Sequence, residues 1–193
     1  PSVGKEDKRK VVIILQKAAL EIVKTKKGYE LVSADSHKSL LNRHKKNPSD
    51  FRPDIVHQVL LTLLDSPLNK AGLLKIYIET DTNLIIDVSP SLRIPRTFPR
   101  FAGLMVQLLH KMKIRAVGSS EVLLKVVKRP ISQYFPAGSI KIGTSNKGKL
   151  VDLRDYVPQL KPDTRPIVFA VGSMAHGQAT VDWSEEVISI SQY

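Results

Sequence analysis

Val11-Val12-Ile13-Ile14-Leu15 is an unbroken apolar run with no polar alternate. A strand with one wet face alternates apolar and polar residues. A continuous run is stable as a strand only where both faces are covered, so this one belongs inside a sheet with layers on either side. Further apolar runs at 73–78, 84–88, 123–127, 140–142 and 167–171 read as strands. Between them lie helix-period segments. Pro53, Ile55, Val56, Val59, Leu60, Leu63 and Leu64 recur on one face up to the Ser66-Pro67 stop, and Phe98, Phe101, Leu104, Met105, Leu108 and Met112 do the same after Thr97. Strands alternating with helices predict an α/β fold with a largely parallel sheet. A short helix is expected over 17–27, ending at Gly28, with a second one capped by Asp35 or Ser36 and a third over 150–156. The pair of runs around Asp81-Thr82-Asn83 reads as a β-hairpin extension at about 72–90, an arm projecting from the sheet. At 193 residues the chain is read as one domain over 1–193.

The formal net charge is +12. Such an excess favours a polyanionic partner, nucleic acid first, because neutralising phosphates releases condensed counterions. No apolar run approaches the ~20 residues that a membrane-spanning helix needs, and no basic amphipathic helix of the membrane-surface type stands out. The absence of cysteine excludes disulfides, cysteine-ligated zinc and thiol catalysis.

The cations are placed oddly. Arg93, Arg96 and Arg100 surround the start of the helix after Thr97, where the unpaired N–H groups of the first turn already carry partial positive charge. With the helix dipole they would form one concentrated anion site. Arg52-Pro53-Asp54 opens the other long helix. Asp54 suits that dipole, and it either orients Arg52 for a phosphate or serves, more weakly supported, as a general base.

Two glycine motifs compete for a ligand. Gly143-Thr144-Ser145-Asn146-Lys147-Gly148-Lys149 resembles a phosphate loop, but Leu150 stands where a magnesium-binding hydroxyl is needed. Gly172-Ser173-Met174-Ala175-His176-Gly177 follows the 167–171 strand and brings two glycines to its C-terminal edge, where open α/β sheets bind ligands. His176 has no second histidine at ligand spacing, so no metal is expected there.

Taken in order, Arg52-Pro53-Asp54-Ile55, Asp65-Ser66-Pro67-Leu68-Asn69, Arg93-Ile94-Pro95-Arg96-Thr97-Phe98, Gly103-Leu104-Met105-Val106-Gln107-Leu108-Leu109, Gly143-Thr144-Ser145 and Ala175-His176-Gly177 resemble the nucleolar family of ribosome-biogenesis pseudouridine-N1 methyltransferases. The likeness runs from about Val11 to Tyr193. It implies a SPOUT-type α/β knot fold, a homodimer, a nucleolar location and S-adenosylmethionine as cofactor. By motif, Thr144, Gly172, Gly177, Ile190, Ser191, Gln192 and Tyr193 would contact the methyl donor. Arg52, Arg93, Arg96 and Arg100 would hold a small-subunit rRNA hairpin loop, with Asp54 fixing Arg52. Small-subunit processome factors are the implied protein partners. The family pattern continues after the terminal tyrosine with Pro-Leu-Ser and a closing helix, so the knot and part of the pocket are expected to be incomplete in this sequence. The competing expectation is an rRNA-binding assembly factor without methyl transfer.

Overall fold

In the computed structural model, residues 8–176 and 181–191 are described. In chain order the elements are β1 (Val11–Ala18), β2 (Ile22–Thr25), β3 (Gly28–Leu31), α1 (Ala34–Arg43), α2 (Pro53–Leu64), α3 (Pro67–Lys70), β4 (Leu74–Thr80), β5 (Ile85–Val88), α4 (Phe98–Lys111), β6 (Lys113–Arg115), β7 (Val122–Val127), β8 (Ile140–Leu150), α5 (Leu153–Tyr156), β9 (Ile167–Gly172) and β10 (Glu186–Ser189). Eight strands form one sheet in the order β10-β8-β9-β1-β4-β5-β7-β6. β10, β8, β9, β1 and β4 run parallel, whereas β5, β7 and β6 continue antiparallel. Five of the eight strands are therefore parallel, and the other three extend the sheet antiparallel.

β1 sits between β9 and β4, as its apolar run requires. Leu15 joins the layer of α2 and α4 with Val56, Leu60, Ile76, Ile78, Phe101, Met105 and Leu108. Val12 and Ile14 face the opposite side, against Tyr77, Ile85, Ile131 and Val168, with Tyr134, Phe135 and Trp183 packed around them. Phe101 is fully buried. Its truncation to alanine would cost about 3–5 kcal/mol, because the flanking α2 and sheet residues cannot close the cavity completely.

Four expectations change. α1 is capped not by Asp35 or Ser36 but by Ser33, whose hydroxyl oxygen accepts from the Ser36 N–H at 3.2 Å. Residues 17–27 are not a helix: β1 ends at Ala18, and Ile22–Thr25 pairs with Gly28–Leu31 as a separate two-stranded hairpin. β-branched Ile22, Val23 and Thr25 suit that pleat, and Gly28, at φ +107°, completes the turn rather than stopping a helix. β4 and β5 do form the expected antiparallel pair, but not an arm. β4 pairs with β1 and β5 with β7, so the hairpin lies within the main sheet. The helix expected over 150–156 shrinks to α5, because Leu150 still belongs to β8 and Asp152 caps the turn by accepting from the Arg154 N–H.

Candidate functional site

β8 pairs with β9 only over Ile140–Gly143, and its C-terminal end, Leu150, pairs with Ser189 of β10. Gly143 is opposite both Ala170 of β9 and Val187 of β10, so Thr144 leaves that level beside the end of β9. The Thr144 hydroxyl donates to the Ala170 carbonyl at 2.7 Å, which fixes it on this edge and leaves its own lone pairs as acceptors. β9 ends at Gly172, paired with Gln16 of β1. The next residue, Ser173, is buried, and its N–H and hydroxyl both donate to the Gln16 carbonyl, at 2.9 and 2.8 Å. The Gln16 side chain is also buried, and its Oε1 accepts from no group among the described residues. An orphaned buried acceptor is costly, so its presence beside Gly172 marks a place where a donor is missing.

The β8–β10 ladder then skips residues. Val187 faces Gly143 but Ile188 faces Lys149, leaving 144–148 outside the register. The stretch that resembles a phosphate loop is thus part of a strand, and no helix N-terminus receives it, since α5 begins only at Leu153. Gly148 is required for this crossing. A Cβ there would stand 2.5 Å from the Ile188 carbonyl carbon. Beyond Ser189, Ile190 lines an open hollow of about 700 Å³ with residues 150–154. Thr144 and Gly172 therefore share one edge, and exposed Ile190 and Ser191 continue from the neighbouring strand. Gly177, Gln192 and Tyr193 lie outside the described residues.

The arginines belong to the α2–α4 layer. Arg52 is the residue before the first turn of α2, and its Nε and Nη2 donate to the two Asp54 oxygens at 3.0 and 2.9 Å. This bidentate pairing holds the Asp54 carboxyl below its usual value, against the opposing effect of partial burial. A lowered carboxyl is a poor proton acceptor at neutral pH, so the geometry favours the orienting role of Asp54 over the general base. His57, one turn further, is buried. Its Nε2 lies 2.7 Å from the Pro95 carbonyl, which can only accept, and its ring stacks on Phe101 with centroids 4.5 Å apart. That contact pins the lead-in of α4 along α2. Thr97 occupies the N-cap position, though its side chain makes no capping bond.

Arg96 reaches back to Asp65, the C-cap residue of α2, with both guanidinium nitrogens on both carboxylate oxygens. Asp54 and Asp65 mark opposite ends of a 12-residue helix. Eleven residues at 1.5 Å each put the two pairs roughly 16 Å apart, too far for one phosphate. Arg52 and Arg96 therefore form a strip along α2. Arg93 and Arg100 are exposed and make no ion pair or hydrogen bond among the described residues. Asp65 went unassigned in the sequence, although a signal existed: an anion at a helix C-terminus is as disfavoured as a cation at an N-terminus, and the two anomalies satisfy each other.

The EMG1/NEP1 methyltransferase family model matches residues 13–193. The chain is 51% identical to the proteins called ribosomal RNA small subunit methyltransferase NEP1 from Mus musculus and Homo sapiens, over 96% of its own length and 75% of theirs. It is 45% identical to the Drosophila melanogaster protein of that name, with the same coverage. Among solved structures, Archaeoglobus fulgidus Nep1 bound to S-adenosylhomocysteine has the same fold, with a TM-score of 0.69 at 22% identity, covering 95% of this chain and 90% of that one. That likeness bears out the SPOUT-type α/β expectation.

Proposed function

The chain belongs to the EMG1/NEP1 methyltransferase family, and from that premise we propose that it transfers a methyl group from S-adenosylmethionine to N1 of a pseudouridine in small-subunit rRNA. The observation that carries the reading is the edge formed by Thr144, Gly172 and the residues after β10, with the orphaned Gln16 Oε1 beside it. Backbone and hydroxyl groups there suit a neutral, multi-donor ligand such as an adenosine, and Gln16 Oε1 would accept from one of its N–H or O–H groups. When bound, the cofactor would supply an activated methyl group and leave as S-adenosylhomocysteine, while the N1 hydrogen is lost as a proton to water. The residues of this chain then hold the accepting nitrogen in line with it, since positioning supplies much of the rate.

Uridine cannot accept at N1, which its glycosidic bond occupies, whereas pseudouridine carries a hydrogen there. N1 of a paired base is out of reach, so a hairpin loop with an unstacked base is the substrate class. Arg52, Arg93, Arg96 and Arg100 grip phosphates of that loop, and Asp54 and Asp65 hold two of them in position. The same reading takes in a nucleolar location, small-subunit processome partners and a homodimer. Exposed Leu150, Leu153 and Ile190, which line the 700 Å³ hollow, support the last of these.

The test is methyl transfer by the full-length protein to a small-subunit rRNA hairpin carrying pseudouridine or uridine at one loop position, with S-adenosylhomocysteine affinity measured by calorimetry. Transfer to pseudouridine alone is expected. Tight RNA binding with neither cofactor binding nor transfer would refute it, and would assign the chain to rRNA-binding assembly factors instead.

A further inference from the structure

A second, smaller hollow of about 270 Å³ is lined by Lys17, Ser49, Asp50, Asp81 and the Met174–His176 stretch. Its walls come from four separate places. Lys17 lies near the end of β1, Asp81 follows β4, Asp50 ends a 3₁₀ turn two residues before Arg52, and Met174–His176 leaves β9 just past Gly172. The hollow thus lies between the proposed donor edge and the first of the RNA-facing arginines. The walls are fixed locally. The Asp81 N–H donates to the Ala18 carbonyl at 3.0 Å, and Lys17 is held at φ +53°, a left-handed conformation that costs a non-glycine residue energy.

Its charge runs against the rest of the molecule. The chain carries +12 overall, yet two carboxylates line this hollow against the single ammonium of Lys17. The surplus carboxylate disfavours phosphate, so a neutral hydrogen-bond donor suits the hollow better than the RNA backbone. Carboxylates accept hydrogen bonds, and the parts of an RNA that donate N–H are the base edges. The volume suits a single pyrimidine ring and is smaller than the pockets that take larger ligands.

We propose that this hollow seats the methyl-accepting base, with N1 turned to the Met174–His176 wall and N3–H donated to the Asp50 and Asp81 carboxylates. This rests on the methyltransferase reading above. Pseudouridine has two ring N–H groups. One is at the reacting nitrogen, and the other is left for recognition. Cytosine presents a lone pair at N3, which would face carboxylate lone pairs and be rejected. Burial pushes the Asp81 carboxyl up, Lys17 opposes this and Asp50 adds to it, as expected of an acceptor that gains from a donor brought by the substrate.

The test uses the full-length protein and the pseudouridine hairpin, with single-turnover transfer, RNA affinity and S-adenosylhomocysteine affinity measured together. For Asp50→Ala/Asp81→Ala, transfer is expected to fall at least tenfold, while both affinities stay within about threefold of wild type. Asp50→Asn/Asp81→Asn, which keeps an acceptor oxygen on each side chain, recovers part of the loss. A hairpin carrying N3-methylpseudouridine slows the wild-type protein at least tenfold and slows the alanine variant little further. That arm on wild type needs no variant to fold. Wild-type transfer at an unchanged rate on the N3-methyl hairpin, or full activity of the alanine variant, overturns the assignment. A wild-type protein inactive on the pseudouridine hairpin fails the methyltransferase reading itself and takes this inference with it.

Discussion

Asp54→Ala separates two accounts of the arginine strip that differ in sign. By charge alone, deleting an anion from a surface proposed to face RNA tightens binding. One unit charge about 4 Å away in water is worth ~1 kcal/mol, or about fivefold in affinity. The structure argues the reverse. Asp54 holds the Arg52 guanidinium through two hydrogen bonds of 3.0 and 2.9 Å, so the arginine is ordered before RNA arrives. Without it, binding must immobilise a free arginine, an ordering cost that weakens affinity roughly two- to tenfold. The fold itself tolerates the change. Asp54 loses a helix-end charge interaction of roughly 0.3–1 kcal/mol, and the half-exposed pair adds little to that. A chain of this size should then lose only about 1–4 °C in Tm. The assay is fluorescence anisotropy with a small-subunit rRNA hairpin at several salt concentrations, beside a thermal melt. Weaker binding is expected, with the slope of log K against log salt shallower by up to ~0.9 as the Arg52 phosphate contact is lost. Tighter binding with an unchanged slope would refute the orienting role.

Gly148→Ala forces a methyl group into the Ile188 backbone, and overpacking of this kind costs about 1–3 kcal/mol; chemical denaturation should show it, whereas Gly103→Ala, with nothing within 4 Å, should be neutral or stabilising. Thr144→Val removes the hydroxyl on the Ala170 carbonyl, so stability should fall by about 1 kcal/mol and S-adenosylhomocysteine affinity should fall with it in calorimetry. His57→Ala empties a buried site, frees the Pro95 carbonyl and strips the stack from Phe101; a loss of at least ~2 kcal/mol and faster amide exchange through the α4 lead-in are expected. Arg52 and Arg96 hold Asp54 and Asp65 below the ordinary 3.8. Folded values below unfolded ones mean that both pairs contribute fully above about pH 4 and lose their contribution as pH falls through the depressed values. NMR titration should find the Asp65 carboxyl back near its ordinary value in Arg96→Ala.

What the sequence revealed depended on how local each signal was. The Val11–Leu15 run carries its own evidence of burial on two faces, and β1 lies between two parallel neighbours. α2 and α4 were legible because one apolar stripe and one opening proline define each. Gly28 misled because the same residue closes a helix or a hairpin turn, and only the β-branched pattern of 22–25 separates the two. The place of β4–β5 in the sheet was hidden for another reason. A hairpin's pattern is complete in itself, while its pairing with β1 and β7 is decided far along the chain. At the site, Thr144 and Gly172 were found through motif, but the register skip over 144–148 is imposed by β10, some forty residues later. Asp50 and Asp81 escaped notice because neither stands near the other, or near the glycine loop, in sequence.

The position of β1 has a consequence for synthesis. β1 is an inner strand, and one of its two partners, β9, begins about 150 residues later in the chain. At roughly 5–20 residues per second, that partner emerges some 8–30 seconds after β1. Throughout that interval β1, apolar from Val11 to Leu15, can pair along β4 on one edge only, and its other edge stays open to any passing strand. The molecule's vulnerability is therefore a matter of timing: an interior strand waits for a partner made long after it.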